Sequence, residues 1–293
     1  MLLEIKDLRG GYGFGDVVKG ISCQADAGEI LCVLGPNGCG KTTFFRLLLG
    51  MIPATAGEVR LDGKDTKGLN PQKRAKLAAY IPQNHSTVFS YTVLELVVMG
   101  RAAHFSALEA PRAKDRELAF LALEKLGIAH LADKPYPSLS GGQRQLVLIA
   151  RAICQSAKIL IMDEPAANLD YAHRQLLVDM AMELAKKGYC LVMSTHSPDN
   201  PFSVGHKVLM MKEGRLAAFG APKSVITRES LEEVYGIPMD VVSVNDRYGV
   251  KRTLCLPVKA PERSAAGKEE YEAFTDLESK GAVISAAREA YRD

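Results

Sequence analysis

Residues 29–42 read Glu29-Ile30-Leu31-Cys32-Val33-Leu34-Gly35-Pro36-Asn37-Gly38-Cys39-Gly40-Lys41-Thr42. An apolar run of strand length stops at a glycine-rich turn. A helical pattern follows from about Lys41 to Leu49, and Gly50 closes it. Gly35 to Thr42 fits G-x-x-x-x-G-K-[ST], with the strand before it and the helix after it that the motif requires. Glycines let the backbone wrap closely, so successive N–H groups and the positive helix end converge on phosphate oxygens. In such a cradle Lys41 reaches the β and γ phosphates and the Thr42 hydroxyl ligates Mg²⁺. Cys39 occupies a permissive position and reads as a small filler rather than a redox centre.

A cradle of this kind needs an acidic partner at the end of another buried strand. Ile159-Leu160-Ile161-Met162-Asp163-Glu164 supplies four apolar residues and then two carboxylates. Asp163 is placed to hold Mg²⁺, directly or through water, and Glu164 to accept a proton from an attacking water. A second buried strand, Tyr189 to Ser194, follows the helix His173 to Lys187, giving a parallel strand–helix–strand unit. Between Lys41 and Asp163 lies a domain-sized stretch that is mostly helical from about Thr92 to Gln155. Within it, Leu139-Ser140-Gly141-Gly142-Gln143 opens a helix with a glycine pair beside a serine hydroxyl, a second anion-binding element. Two such elements on one chain suggest two chains sharing two nucleotides.

The rest of the chain reads as short strands and hairpins. Leu2–Leu8, Val17–Gln24 and Glu58–Leu61 alternate as antiparallel strands, the last before the turn Asp62-Gly63. A hairpin spans Lys207 to Phe219 through Glu213-Gly214, a short helix runs from Pro222 to Val234, and a second hairpin joins Val241–Val244 to Val250–Leu256. Residues 259–293, rich in Ala, Glu and Lys, are expected to form a surface helical appendage.

Composition narrows the function classes. The 293 residues carry 37 Lys and Arg against 34 Asp and Glu, a net charge of +3, so no concentrated basic face for nucleic acid is expected. No signal peptide is expected from Met1 to Asp7, and no apolar run approaches the ~18–20 residues that span a bilayer. Any work at a membrane therefore falls to a partner. The six scattered cysteines, with no C-x-x-C pair, read as reduced, buried thiols.

Taken in order, these motifs make the chain resemble the ATP-binding subunit of an ABC transporter over roughly residues 1–258. The resemblance implies an α/β fold: a P-loop NTPase core of the ABC ATPase type with an antiparallel β subdomain and a helical subdomain inserted at about 84–155. It adds roles that the residues alone do not assign. Tyr12, in Gly11-Tyr12-Gly13, matches the aromatic that stacks on adenine. Gln83, in Tyr80-Ile81-Pro82-Gln83, matches the glutamine that touches Mg²⁺ and links the core to the insertion. Ala167-Asn168-Leu169-Asp170 matches the loop that crosses the dimer interface, with alanine where serine is common. His196, in Ser194-Thr195-His196, matches the histidine that contacts the γ-phosphate, at the carboxyl end of a parallel strand where ligands bind. The other five histidines read as surface or packing residues. Ser194 beside His196 is no hydrolase triad, because no G-x-S-x-G elbow accompanies it.

The implied cofactors are ATP and Mg²⁺. The implied nucleotide set is Tyr12, Gly35, Pro36, Asn37, Gly38, Cys39, Gly40, Lys41, Thr42, Thr43, Gln83, Ser140, Gly141, Gly142, Gln143 and Asp170. Thr42, Gln83 and Asp163 lie on the metal side, and Glu164, His196 and Lys41 carry the chemistry. Thr92 to Arg101, Phe219-Gly220-Ala221-Pro222 and Leu231 to Gly236 resemble the importer branch for iron–siderophore, haem and cobalamin. Membership implies a homodimer on the cytoplasmic face of the membrane, an integral-membrane permease and, indirectly, a substrate-binding protein. Two alternatives remain open: an ABC ATPase of another transporter class, or a soluble one such as an iron–sulfur cluster assembly factor. A module that binds ATP without turnover is disfavoured by retention of Lys41, Glu164 and His196.

Overall fold

The computed structural model describes residues 1–83, 90–105, 109–167 and 169–258. Contacts divide the chain into Met1–Leu256 and Pro257–Asp293. The appendage expected at 259–293 lies outside the described residues, as does Asn168 of the expected interface loop.

The chain opens with β1 (Leu3–Gly10), β2 (Val18–Ala25), β3 (Ile30–Leu34), α1 (Lys41–Leu48), β4 (Ala54–Leu61), β5 (Lys64–Asp65), α2 (Pro71–Ala75) and β6 (Ala78–Ile81). A helical insertion follows: α3 (Val93–Val98), α4 (Ala113–Lys125) and α5 (Gly141–Cys154), joined by short 3-10 turns. The chain then returns through β7 (Ile159–Met162), α6 (Tyr171–Lys186), β8 (Cys190–Thr195), α7 (Asn200–Val204), β9 (Lys207–Lys212) and β10 (Arg215–Gly220). It continues with α8 (Pro222–Val225), α9 (Arg228–Tyr235), β11 (Met239–Asn245) and β12 (Lys251–Pro257).

The described residues form three sheets, one of them the two-stranded pair β11-β12. Of the other two, the first is antiparallel, in the order β2-β1-β4-β5. The second runs β10-β9-β3-β8-β7-β6, parallel throughout except for the β9–β10 hairpin at its edge. Every residue of β3, β7 and β8 is buried, the condition of parallel strands covered on both faces. One apolar cluster fills the space between the sheets around Phe44, Phe45 and Leu48 of α1. The other joins the opposite face of the parallel sheet to the insertion and to α6.

Register places the working segments together. Leu34 of β3 pairs with Thr195 of β8, Met193 of β8 with Met162 of β7, and Met162 with Ile81 of β6. The loops that carry Gly35, Gln83, Asp163 and His196 therefore leave the same edge of four adjacent strands, the place where α/β sheets bind ligands.

The insertion holds by capping and close packing. Thr92 and Glu95 cap α3 reciprocally, and Ser140 and Gln143 do the same for α5. Gly100 lies so near the Arg151 carbonyl that a Cβ there would approach it to 2.3 Å. Only glycine permits that contact.

The structure departs from expectation in several elements. β6 was not foreseen, because a four-residue strand leaves too little pattern to separate from its surroundings. β4 begins at Ala54 rather than Glu58, because Gly10 at the end of β1 pairs with that extra length. α6 begins at Tyr171 rather than His173, because Asp170 is its cap. The helix expected after Pro222 is two helices, since Thr227 caps a fresh one by accepting from the Ser230 N–H at 3.2 Å.

Arg74 of α2 ties these parts. Its guanidinium donates to the carbonyls of Leu49 (3.1 Å), Gly50 (3.0 Å), Thr66 (3.1 Å) and Leu69 (3.1 Å), pinning the end of α1 to the loop after β5. A lysine ammonium has no such fork. Arg74→Lys is expected to lower stability by roughly 1–3 kcal/mol in urea denaturation. An unchanged midpoint contradicts the clamp.

Candidate active site

The cradle follows from glycine conformations. Gly38 and Gly40 adopt φ of 80° and 108°, and Gly40 caps α1 with its carbonyl accepting from the Phe44 N–H at 2.8 Å. Gly35 passes close to the Met211 carbonyl, where a Cβ would come within 2.5 Å. Asn37 and Gly38 are exposed at the loop's tip, while Cys39 turns inward and Thr43 is buried within α1. Burial pushes the Cys39 thiol up, so it stays protonated and acts as filler, as the sequence suggests.

Lys41 is buried, and its Nζ donates to the carbonyls of Gly35 (2.9 Å) and Pro36 (3.1 Å). It also lies 3.4 Å from Glu164 Oε1. The other oxygen of that carboxylate takes the amide of Gln83 at 3.3 Å and lies 3.4 Å from His196 Nδ1. Three residues distant in sequence, Lys41, Gln83 and His196, thus converge on the Glu164 carboxylate. The His196 side chain remains half exposed.

Asp163 is the buried neighbour. Its Oδ2 accepts from Thr42 Oγ1 at 2.7 Å and from the Tyr80 phenol at 3.3 Å. Its Oδ1 accepts from Ser194 Oγ at 2.7 Å. Ser194 Oγ in turn accepts from the Glu164 N–H at 2.7 Å, which helps hold Glu164 at φ 44°, a left-handed conformation costly for a side-chain-bearing residue. Burial and the Asp163 carboxylate push the Tyr80 phenol above the usual tyrosine range, so it remains a donor. Tyr80 and Ser194 were missed as site residues. The signal was a polar residue closing a buried apolar run, as Ser194 closes Cys190–Met193.

The donor set suits a hard cation. Thr42 and Asp163 offer oxygens within 2.7 Å of one another, and Gln83 stands nearby through Glu164. No group of three or more His, Cys, Asp or Glu that could hold a metal occurs among the described residues. Mg²⁺ needs no such cage, because it binds through one or two protein oxygens plus substrate phosphates.

Not every implied residue is brought in. Ser140 and Gln143 spend their polar atoms on the cap of α5, at 3.3 and 3.2 Å. Among the described residues, no hydrogen bond joins residues 140–143 to the cradle 35–42. Gly142 packs against His173, whose imidazole lies 2.8 Å from Asp170 Oδ1. The His173 N–H bonded to Asp170 holds that carboxyl below the usual range. Tyr12 sits half exposed on the loop after β1, its phenol accepting from Arg46 at 2.9 Å. Phe14, two residues on, is fully exposed, a second aromatic in Gly11–Gly15 that the sequence reading passed over.

The sequence profile of the ABC transporter family matches residues 18–167. A molybdate import ATP-binding protein of Haemophilus influenzae is 35% identical over 75% of this chain and 81% of its own length. A hemin import ATP-binding protein of Gloeobacter violaceus is 36% identical over 75% of this chain and 82% of its own. A solved structure of a metal-chelate type ABC transporter in an inward-facing conformation superposes with a TM-score of 0.79 at 31% identity, covering 88% of this chain and 98% of that one.

Ser194→Ala removes a donor to Asp163 and the acceptor of the Glu164 N–H together. It is expected to slow nucleotide turnover roughly tenfold, about the worth of one hydrogen bond. Unchanged turnover in a folded variant contradicts the linkage.

Proposed function

The chain belongs to the ABC transporter family, and from that premise we propose that it is the ATP-hydrolysing subunit driving import of a metal chelate through a partner permease. Iron–siderophore, haem and cobalamin are the cargo classes that its sequence resembles. One observation carries the reading. Four loops from one sheet edge bring Lys41, Gln83 and His196 around Glu164, with Asp163 bonded to Thr42 beside it.

The proposed chemistry divides the two carboxylates. Asp163 and Thr42 would hold Mg²⁺, which when bound would screen the charge on the phosphates. Lys41 neutralises charge on the β and γ phosphates, and its bonds to Gly35 and Pro36 aim it along the cradle. Glu164 takes the proton of the attacking water, and His196, 3.4 Å from it, steadies the γ-phosphate. Tyr12 supplies a stacking face for the base.

Two further surfaces support the partners. The N-terminus of α5 makes no bond to its own cradle among the described residues, so we assign it to the cradle of a second copy. A largely apolar cavity of about 300 Å³ on the insertion, lined by Leu94, Val98, Met99, Phe105 and Pro111 together with Glu95 and Arg116, has room for side chains projecting from a cytoplasmic helix of the permease. No described helix is long and apolar enough to cross a membrane, which leaves the permease as the route to it. Similar identity to a molybdate and a hemin relative accords with cargo being read by other subunits.

Both surfaces are testable. Lys41→Ala and Ser140→Arg chains are each expected to be inactive alone and, when mixed, to regain one intact nucleotide site per dimer. Full activity of Ser140→Arg alone contradicts the shared site. Arg116→Glu is expected to uncouple transport in reconstituted vesicles while basal ATP hydrolysis persists. Normal coupling in that variant places the permease contact elsewhere.

A further inference from the structure

His196 sits on a loop, not on the strand that precedes it. Thr195 Oγ1 accepts from the Ser197 N–H at 3.1 Å and from the Asn200 amide at 2.8 Å, turning the chain into α7. Those bonds close the loop around His196. The carbonyl of His196 itself is taken by the Tyr235 phenol, which donates to it at 2.9 Å. Tyr235 is the last residue of α9, presented where Gly236 at φ 72° ends the helix.

The same downstream segment grips the loop again. The Cys255 N–H of β12 donates to Asp199 Oδ1 at 2.6 Å. Lys212 Nζ donates to the Glu233 carbonyl at 2.7 Å, fastening α9 to β9, the parallel neighbour of β3. Residues 228–257 thus bracket the His196 loop while anchored beside the strand that leads into the phosphate cradle. They lie beyond the span 18–167 that the family profile matches. Burial pushes the Tyr235 phenol above the usual tyrosine range, which keeps it a donor.

We propose that Tyr235 is a positioning residue for His196: its phenol fixes the backbone carbonyl of His196 and so the reach of the imidazole toward Glu164. This rests on the reading of His196 as a group that acts in hydrolysis. A phenylalanine at 235 keeps the ring and its packing and removes only the donor.

The test is a two-residue cycle in the full chain, read by steady-state and single-turnover ATP hydrolysis with thermal melts alongside. Tyr235→Phe is expected to lower kcat about three- to tenfold, the worth of one hydrogen bond, with the KM for ATP held within about twofold. On a His196→Gln background the same change is expected to leave residual turnover within about twofold, because the positioned ring is gone. An equal fall on both backgrounds, a rise in KM with kcat held, or a drop in Tm that tracks activity overturns the positioning role. Normal turnover in Tyr235→Phe beside a defective His196→Gln overturns this inference alone. Normal turnover in His196→Gln overturns the reading of His196 and the inference with it.

Discussion

The buried carboxylate of Asp163 is the constraint on which the site depends. A carboxylate removed from water must be met by donors, or its burial is too costly to sustain. Here the donors are three hydroxyls from three elements: Thr42 of α1, Tyr80 of β6 and Ser194 of β8. Hydrogen bonds to a charged group contribute about 1.5–3 kcal/mol each, enough to set where these elements end relative to one another. The same serine accepts from the Glu164 N–H, so the conformation of the second carboxylate is tied to the burial of the first. Adjacent acids with different surroundings are thereby given different work. Asp163 faces inward among hydroxyls, and Glu164 faces Lys41, Gln83 and His196.

How much of this could be read beforehand depends on whether a feature is local. The cradle and the strand ending in Asp163-Glu164 were legible because each couples a period to a turn within a few residues. The antiparallel strands and the glycine-stopped helix were legible on the same ground. β6 was not: four residues carry no period, and its identity as a strand comes from pairing with β7. Ser194 and Tyr80 could not be assigned to the site for a related reason, although Ser194 closes a buried apolar run. A hydroxyl acquires its role only when sheet register brings it beside Asp163, and register is a long-range fact. The start of α6 slipped because Asp170 was weighed for a role across an interface, whereas its carboxylate also caps the helix.

The helical insertion is where composition says least and packing says most. α3, α4 and α5 close around Val97, Ala119, Ala122, Leu123, Val147 and Ala150, small and branched residues that let helices approach. The first turn of α5 is capped from within by Ser140 and Gln143. That capping fixes the first turn, with its backbone N–H groups and positive helix end. Among the described residues there is no cluster of metal ligands, and relatives of like identity carry the names of a molybdate and a hemin importer.

Of the two adjacent carboxylates, we assign the role of base for water to Glu164 and not to Asp163. Glutamine at 164 keeps the size of the side chain and a hydrogen-bonding oxygen for Gln83 but takes away the basicity. Presteady-state hydrolysis by Glu164→Gln, measured together with equilibrium binding of Mg²⁺-ATP, tests the division most directly. The account predicts binding close to that of the natural chain, with a chemical step slower by roughly 10²–10⁴-fold. A chemical step at nearly the natural rate, or a loss of binding equal to the loss of rate, would contradict it.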